Sequence, residues 1–118
     1  MTFNQEQDYW AGYKANERAL IIQTWSGFGR YAPDHLYPPH ILPLDTDNET
    51  LGTTVLQALA NSRTFVYDSS EDQDFFDTEK FRQRYEDWVA NLCGNLGYKT
   101  RRALFKNMMS GDIWLHNG

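Results

Sequence analysis

An internal disulfide is closed to this chain: among its 118 residues there is one cysteine, Cys93. Secreted domains of this size usually carry an even set of cysteines, so a single thiol points to a reducing compartment. The start, MTFNQEQDYW, has no basic stretch followed by an apolar one, and no signal peptide is expected from it. Apolar runs are short, the longest being about four residues at Ala19–Ile22, far below the ~20 that a membrane-spanning helix needs. These absences together lead to an expected cytoplasmic location. Metal-ligand spacing is also missing. His35 and His40 stand five apart in a proline-rich stretch with no cysteine near them, and no cofactor or metal is expected. The glycine pairs Gly27-x-Gly29 and Gly94-x-x-Gly97 do not extend to a phosphate-binding loop and read as turns.

What is present suits a folded domain. The apolar share of 41%, with 15% aromatic residues, is enough for a core, and 23% charged residues is an ordinary globular share. No repeat, low-complexity tract or linker divides residues 1–118, which read as one domain. The formal net charge is −5 and unevenly placed, with most of the acids in the first two-thirds and a basic excess after residue 80. Such a chain is poorly suited to general nucleic-acid binding, because phosphate meets a repelling surface, but it suits a basic protein partner.

Arg18–Trp25 (RALIIQTW) reads as a buried strand, with Tyr9–Tyr13 as a short partner. All four prolines fall between residues 33 and 43, which excludes a helix and predicts a long ordered loop with an edge strand near Ile41–Leu44. Thr46 and Glu49 fit a capping box that opens a helix, with Leu51, Val55, Ala58 and Leu59 on one face. Arg63–Tyr67 reads as a strand or an extended exit. A second helix begins at Asp77 or Thr78, carries the stripe Phe81, Tyr85, Trp88, Val89, Leu92 and Leu96, and stops at Gly94 or Gly97. Thr100 caps a third helix with Leu104, Phe105 and Met108 facing inward, and Asp112–His116 reads as a terminal strand. The expected class is α+β: a small antiparallel sheet with about three helices packed on one face.

Six acids crowd residues 68–79 (DSSEDQDFFDTE). Catalytic carboxylates usually converge from separate elements, whereas a run like this is a solvated loop leading into a helix. Its functional use is recognition: Asp68, Glu71, Asp72 and Asp74 are expected to steer a basic partner toward the protein. Phe75 and Phe76 are expected to anchor this loop to the core. Cys93 sits among apolar neighbours and reads as an inert thiol. Lys99, Arg101, Arg102 and Lys106 read as a solvated helix face. Two other functions stay open on the residues: a small Mg²⁺-dependent hydrolase using the acidic run, or an RNA-binding accessory domain using Lys99–Lys106.

The runs Arg84-Tyr85-Glu86-Asp87-Trp88-Val89 and Leu96-Gly97-Tyr98-Lys99-Thr100-Arg101-Arg102-Ala103-Leu104-Phe105-Lys106-Asn107-Met108-Met109-Ser110 go beyond such patterns. With Trp25-Ser26-Gly27-Phe28-Gly29, Leu51-Gly52, Ala58-Leu59-x-x-Ser62-Arg63 and Phe75-Phe76-Asp77 in the same order, the chain resembles the immunity proteins of bacterial contact-dependent growth inhibition (CDI) systems, the CdiI type. The resemblance covers about residues 20–118. It implies a non-enzymatic cytoplasmic protein that binds the toxic C-terminal domain of a cognate CDI effector, expected to be a nuclease, with no membrane or direct nucleic-acid partner. It also implies that some relatives accept a β-hairpin of the toxin into a groove, extending their own sheet. Relatives are expected to continue past the DIWLH strand, whereas this chain stops at Gly118. Tyr98, Ala103, Leu104, Phe105 and Met108 of the shared motif fit core packing, so the motif is expected to mark ancestry and not the toxin contacts.

Overall fold

The structure is a computed structural model, describing residues 3–4, 6–27, 31–64 and 77–115. Its centre is an antiparallel hairpin of β1 (Tyr9–Ala15) and β2 (Leu20–Gly27), registered from Trp10 opposite Trp25 to Ala15 opposite Leu20. Asn16 makes the turn. Its side-chain Oδ1 accepts from the backbone N–H groups of Arg18 (2.9 Å) and Ala19 (3.1 Å), a local bond that an asparagine offers in place of a strand ladder. On the far side of β2, two short strands share one edge. β3 (Tyr31–Pro33) pairs with Trp25–Gly27 and β4 (His40–Leu42) with Leu20–Ile22. On the far side of β1 lies β5 (Met109–Leu115), antiparallel to it. The edge strand near residues 41–44 and the terminal strand were legible; β3 was not, being three residues long and closed by Pro33 at a sheet edge, the place where a proline is tolerated.

The α+β class, the antiparallel sheet and the three helices are as the sequence indicates, but the helices divide between the two faces of the sheet. The reason is period two along a strand, which sends adjacent Ile21 and Ile22 to opposite sides. Ile22 joins Tyr9, Ala11, Ala58 and Leu59 under α1 (Asn48–Ala60), with Leu51 and Val55 packed alongside. Ile21 joins Val89 and Leu92 of α2 (Thr78–Leu96) and Leu104 of α3 (Arg101–Phe105). α1 sits close because small residues, Ala11 and Ala58, meet at the contact, and Thr24 Oγ1 donates to the Ala58 carbonyl at 2.8 Å.

α1 begins one residue later than a Thr46–Glu49 capping box requires. Asp47 is the N-cap, its carboxylate accepting from Thr50 N, which also holds that carboxyl below its usual range. The Thr46 hydroxyl is engaged elsewhere, donating to the Pro43 carbonyl at 2.6 Å. Asp77 caps α2 and Thr100 caps α3. α2 ends at Gly97, whose φ of 76° lies in the left-handed region that favours glycine. Replacing Gly97 with alanine is expected to cost about 1 kcal/mol in a denaturant titration, the strain of a side chain at that φ.

Part of the C-terminal motif packs into the core. Leu104 is fully buried, and Tyr98, Phe105 and Met108 pack around it and its neighbours. The β1–β2 turn clamps the motif. Asn16 Nδ2 donates to the Leu104 carbonyl (3.0 Å), Arg18 Nη1 donates to the Leu96 carbonyl (2.6 Å), and the Arg18 guanidinium lies 4.1 Å from the Tyr98 ring centre. The Tyr98 hydroxyl donates to Glu17 Oε1 at 2.7 Å, which lowers the Glu17 carboxyl; partial desolvation and that same bond raise the Tyr98 phenol.

Candidate functional site: a groove between the sheet and the second helix

α2 is anchored at its C-terminal half, where Val89 and Leu92 are buried. Its N-terminal half continues the same apolar stripe without burying it: Phe81 is 40% and Tyr85 41% exposed. Between this half and the sheet runs a groove of about 760 Å³, with a mainly apolar lining. Phe81, Arg84, Tyr85 and Trp88 form one wall, one helical face at i, i+3, i+4 and i+7. The floor is β2 and β1, with Ile21, Gln23 and Trp25 beside Gly12. Gly12 is needed there: a Cβ would stand 2.6 Å from Trp25 Nε1. Ser110 and Asp112 of β5 close one side, and the proline loop from Pro33 to Pro39 closes the other.

The wall of the groove formed by the proline loop is held by a buried ion pair. The Asp34 carboxylate is fully buried. It takes two bonds from Arg63, Nε to Oδ2 at 2.7 Å and Nη2 to Oδ1 at 2.8 Å, and further bonds from Ser26 Oγ (2.6 Å) and Leu36 N (3.1 Å). Burial by itself pushes the Asp34 carboxyl up, but the bonds from Arg63, Ser26 and Leu36 outweigh it and hold the group below the usual carboxylate range. Ser62 Oγ adds a bond to the Trp25 carbonyl at 2.6 Å, and Gln23 Nε2 ties the loop at the Tyr37 carbonyl at 3.0 Å. Strand, loop and helix exit are thus one rigid unit, on which the groove is built.

Among the described residues, two polar atoms of the groove are buried without a hydrogen-bond partner: Gln23 Oε1, an acceptor, and Trp88 Nε1, a donor. Both carry a cost that an incoming group of the opposite kind would remove. Among the described residues, no group of three or more His, Cys, Asp or Glu is placed to hold a metal ion.

Asp68, Glu71, Asp72 and Asp74 lie outside the described residues, as do Phe75, Phe76 and most of Arg63–Tyr67. Lys99, Arg101, Arg102 and Lys106 are exposed, and Arg101 is ion-paired with Glu86 of α2. Cys93 is half-buried, with its thiol 3.8 Å from the Thr100 carbonyl. Sequence reasoning placed Phe81, Tyr85 and Trp88 on a continuous apolar stripe and missed the groove. Periodicity shows which face of a helix is apolar and not how closely the opposing surface approaches it.

No helix among the described residues is long and apolar enough to cross a membrane. The sequence model of the family described as CDI immunity protein matches residues 9–118. The immunity protein CdiI-YPIII of Yersinia pseudotuberculosis serotype O:3 (strain YPIII) is 36% identical over 114 residues, covering 88% of this chain. The chain spans 64% of that relative's length. Among solved structures, a Neisseria meningitidis protein described as of unknown function, NMB0488, superimposes with a TM-score of 0.93 at 97% identity, covering all of this chain and 72% of its own. A CdiA-CT/CdiI toxin and immunity complex from Yersinia pseudotuberculosis superimposes with a TM-score of 0.83 at 32% identity, covering 93% of this chain and 69% of its own.

Proposed function

The chain belongs to the CDI immunity protein family, and from that membership we propose that it binds and neutralises the toxic C-terminal domain of a cognate CDI effector in the cytoplasm, acting as an inhibitor without catalysis of its own. Residues 1–118 act as one domain in this reading. The toxin is a nuclease. An enzyme that must hold phosphate presents a basic surface, and an acidic inhibitor meets it with complementary charge. Asp68, Glu71, Asp72 and Asp74 act as steering charges, raising the association rate more than the affinity.

The observation that carries the reading is the groove. An apolar helical face, bearing half-exposed Phe81 and Tyr85, stands over a sheet instead of packing on it. Aromatic side chains held in this way are typical anchors of a protein interface. Among the described residues no strand pairs with the outer edge of β5, so the groove and this edge together offer an extended segment of the toxin both apolar contacts and backbone bonds. A one-to-one complex of this kind buries on the order of 1,600 Å².

Co-expression with the toxin domain encoded immediately upstream tests the proposal. A stable complex, with growth rescued when the toxin is induced, is the expected result. Continued toxicity with no complex contradicts it. A toxin whose activity on nucleic acid is absent would leave inhibition standing and remove the nuclease assignment.

A further inference from the structure

Gln23 stands on the floor of the groove and Trp88 in its α2 wall. Their places follow from the fold. Gln23 lies two residues beyond Ile21 on β2, hence on the same face of the strand, and Ile21 belongs to the cluster against which Trp88 packs. Gln23 is 8% exposed, and its amide has one orientation: Nε2 donates to the Tyr37 carbonyl at 3.0 Å, so an exchanged amide would set oxygen against oxygen. Oε1 is thereby left as a fixed acceptor, with no partner among the described residues. The indole of Trp88 is held by ring contacts with Tyr85 (5.9 Å between centres) and Phe105 (6.5 Å). Its Nε1–H is a buried donor, again with no partner among the described residues. A mainly apolar groove thus keeps one unanswered acceptor and one unanswered donor, each at a cost to the free protein.

Resting on the toxin-binding reading above, we infer that Gln23 and Trp88 together select the toxin by one neutral polar side chain, a hydroxyl or a primary amide, which donates to Gln23 Oε1 and accepts from Trp88 Nε1–H. The two unanswered atoms are of opposite kinds, and that decides the chemistry. Lysine and arginine only donate and leave the indole unanswered, whereas an ionised carboxylate only accepts and leaves Gln23 unanswered. A hydroxyl or a primary amide does both. The side chain makes these bonds and not the backbone. An extended segment uses its N–H and C=O groups in the plane of its own strand pairing and projects side chains from its two faces. Charge on the toxin then serves encounter, and the neutral contact inside the groove serves discrimination. A toxin that brings an apolar or charged residue to this point leaves buried polar atoms unpaired, which is penalised more heavily than the loss of an apolar contact.

The test is a double-mutant cycle on the dissociation constant between the purified full chain and the toxin domain encoded beside it. In the chain, Trp88 is exchanged for benzothienylalanine, which keeps the fused rings and carries sulfur in place of the N–H, and Gln23→Met is the second variant. In the toxin, each hydroxyl or amide residue of the segment that the complex protects from hydrogen exchange is replaced by an apolar residue of similar shape, the hydroxyl and amide replacements forming separate arms. The benzothienylalanine chain is expected to bind about tenfold more weakly. Its thermal unfolding midpoint is expected not to fall, because the N–H has no partner to lose in the free protein. Gln23→Met, which also removes the tie to Tyr37, is expected to weaken binding at least as much. One toxin replacement should weaken wild-type binding by a similar factor and add little to the loss already caused at position 88 or 23. The arm in which it falls identifies the group as hydroxyl or amide. Full affinity in the benzothienylalanine chain, or the absence of any toxin replacement that couples to it, overturns this inference alone. An unfolding midpoint that falls together with the affinity gives the Trp88 N–H a structural role and also overturns it. A wild type that does not bind the toxin overturns the immunity reading with it.

Discussion

Asp34→Ala is expected to be the most destabilising single substitution among the residues considered, lowering the free energy of unfolding by about 3 kcal/mol or more. Its carboxylate is fully buried and accepts four bonds, and its removal leaves the Arg63 guanidinium and the Ser26 hydroxyl facing an empty site. Arg63 is 24% exposed, so water can recover part of its hydration and the effect falls toward the lower end of the range for broken buried pairs. Thermal unfolding should show a midpoint lower by roughly 10 °C. Arg63→Ala should destabilise by a similar amount, and the double variant by less than the two singles together, because each single change already breaks the pair. The pH dependence has a definite sign. The Asp34 carboxyl titrates lower in the folded than in the unfolded chain, so its contribution is present above about pH 4 and is lost as the pH falls through the lowered folded value. In Asp34→Asn that acid-side loss of stability should be smaller. An unfolding midpoint within a degree or two of wild type in Asp34→Ala would contradict the role given to the pair.

The second large effect concerns binding. Phe81→Ala with Tyr85→Ala should weaken the toxin complex by about 100-fold, corresponding to loss of roughly 2–3 kcal/mol from two anchor side chains. Stability should change by less than about 1 kcal/mol, because the two rings are already 40% and 41% exposed in the free protein. Val89→Ala makes the contrast. Val89 is 3% exposed beside Leu92 and Ile21, and its truncation should destabilise the fold while leaving the affinity of the folded fraction unchanged. Equal affinities for wild type and the double variant would remove the groove from the binding surface.

Much of the scaffold was legible because it follows from local chemistry. The caps at Asp77 and Thr100, the left-handed Gly97 and the apolar face of Leu51, Val55, Ala58 and Leu59 are short-range features, and each is found where its residues indicate. The α1 cap was misplaced by one residue because Thr46 and Asp47 are both good caps, and only the structure shows Thr46 engaged by Pro43. The division of the helices between two faces was hidden for a different reason: Ile21 and Ile22 both read as core, and a fully apolar pair does not say which side each helix covers. Ser26, Ser62 and Arg63 belonged to the segments that resemble the immunity proteins, yet nothing local explained them. In three dimensions they converge with Asp34, with Arg63 and Asp34 separated by 29 residues of sequence. Such long-range polar pairings have no periodicity to betray them. The groove was illegible for the same reason, since its walls come from α2, β2, β1, β5 and the proline loop.

The central claim is that the toxin occupies the groove between α2 and the sheet, and hydrogen–deuterium exchange on the free protein and on its complex with the toxin domain tests it most directly. The predicted result is slowed exchange in the N-terminal half of α2, from Thr78 to Trp88, and in β5, with α1 unchanged. Slowed exchange confined to α1, or to the Lys99–Lys106 segment, with α2 and β5 exchanging as in the free protein, would contradict it.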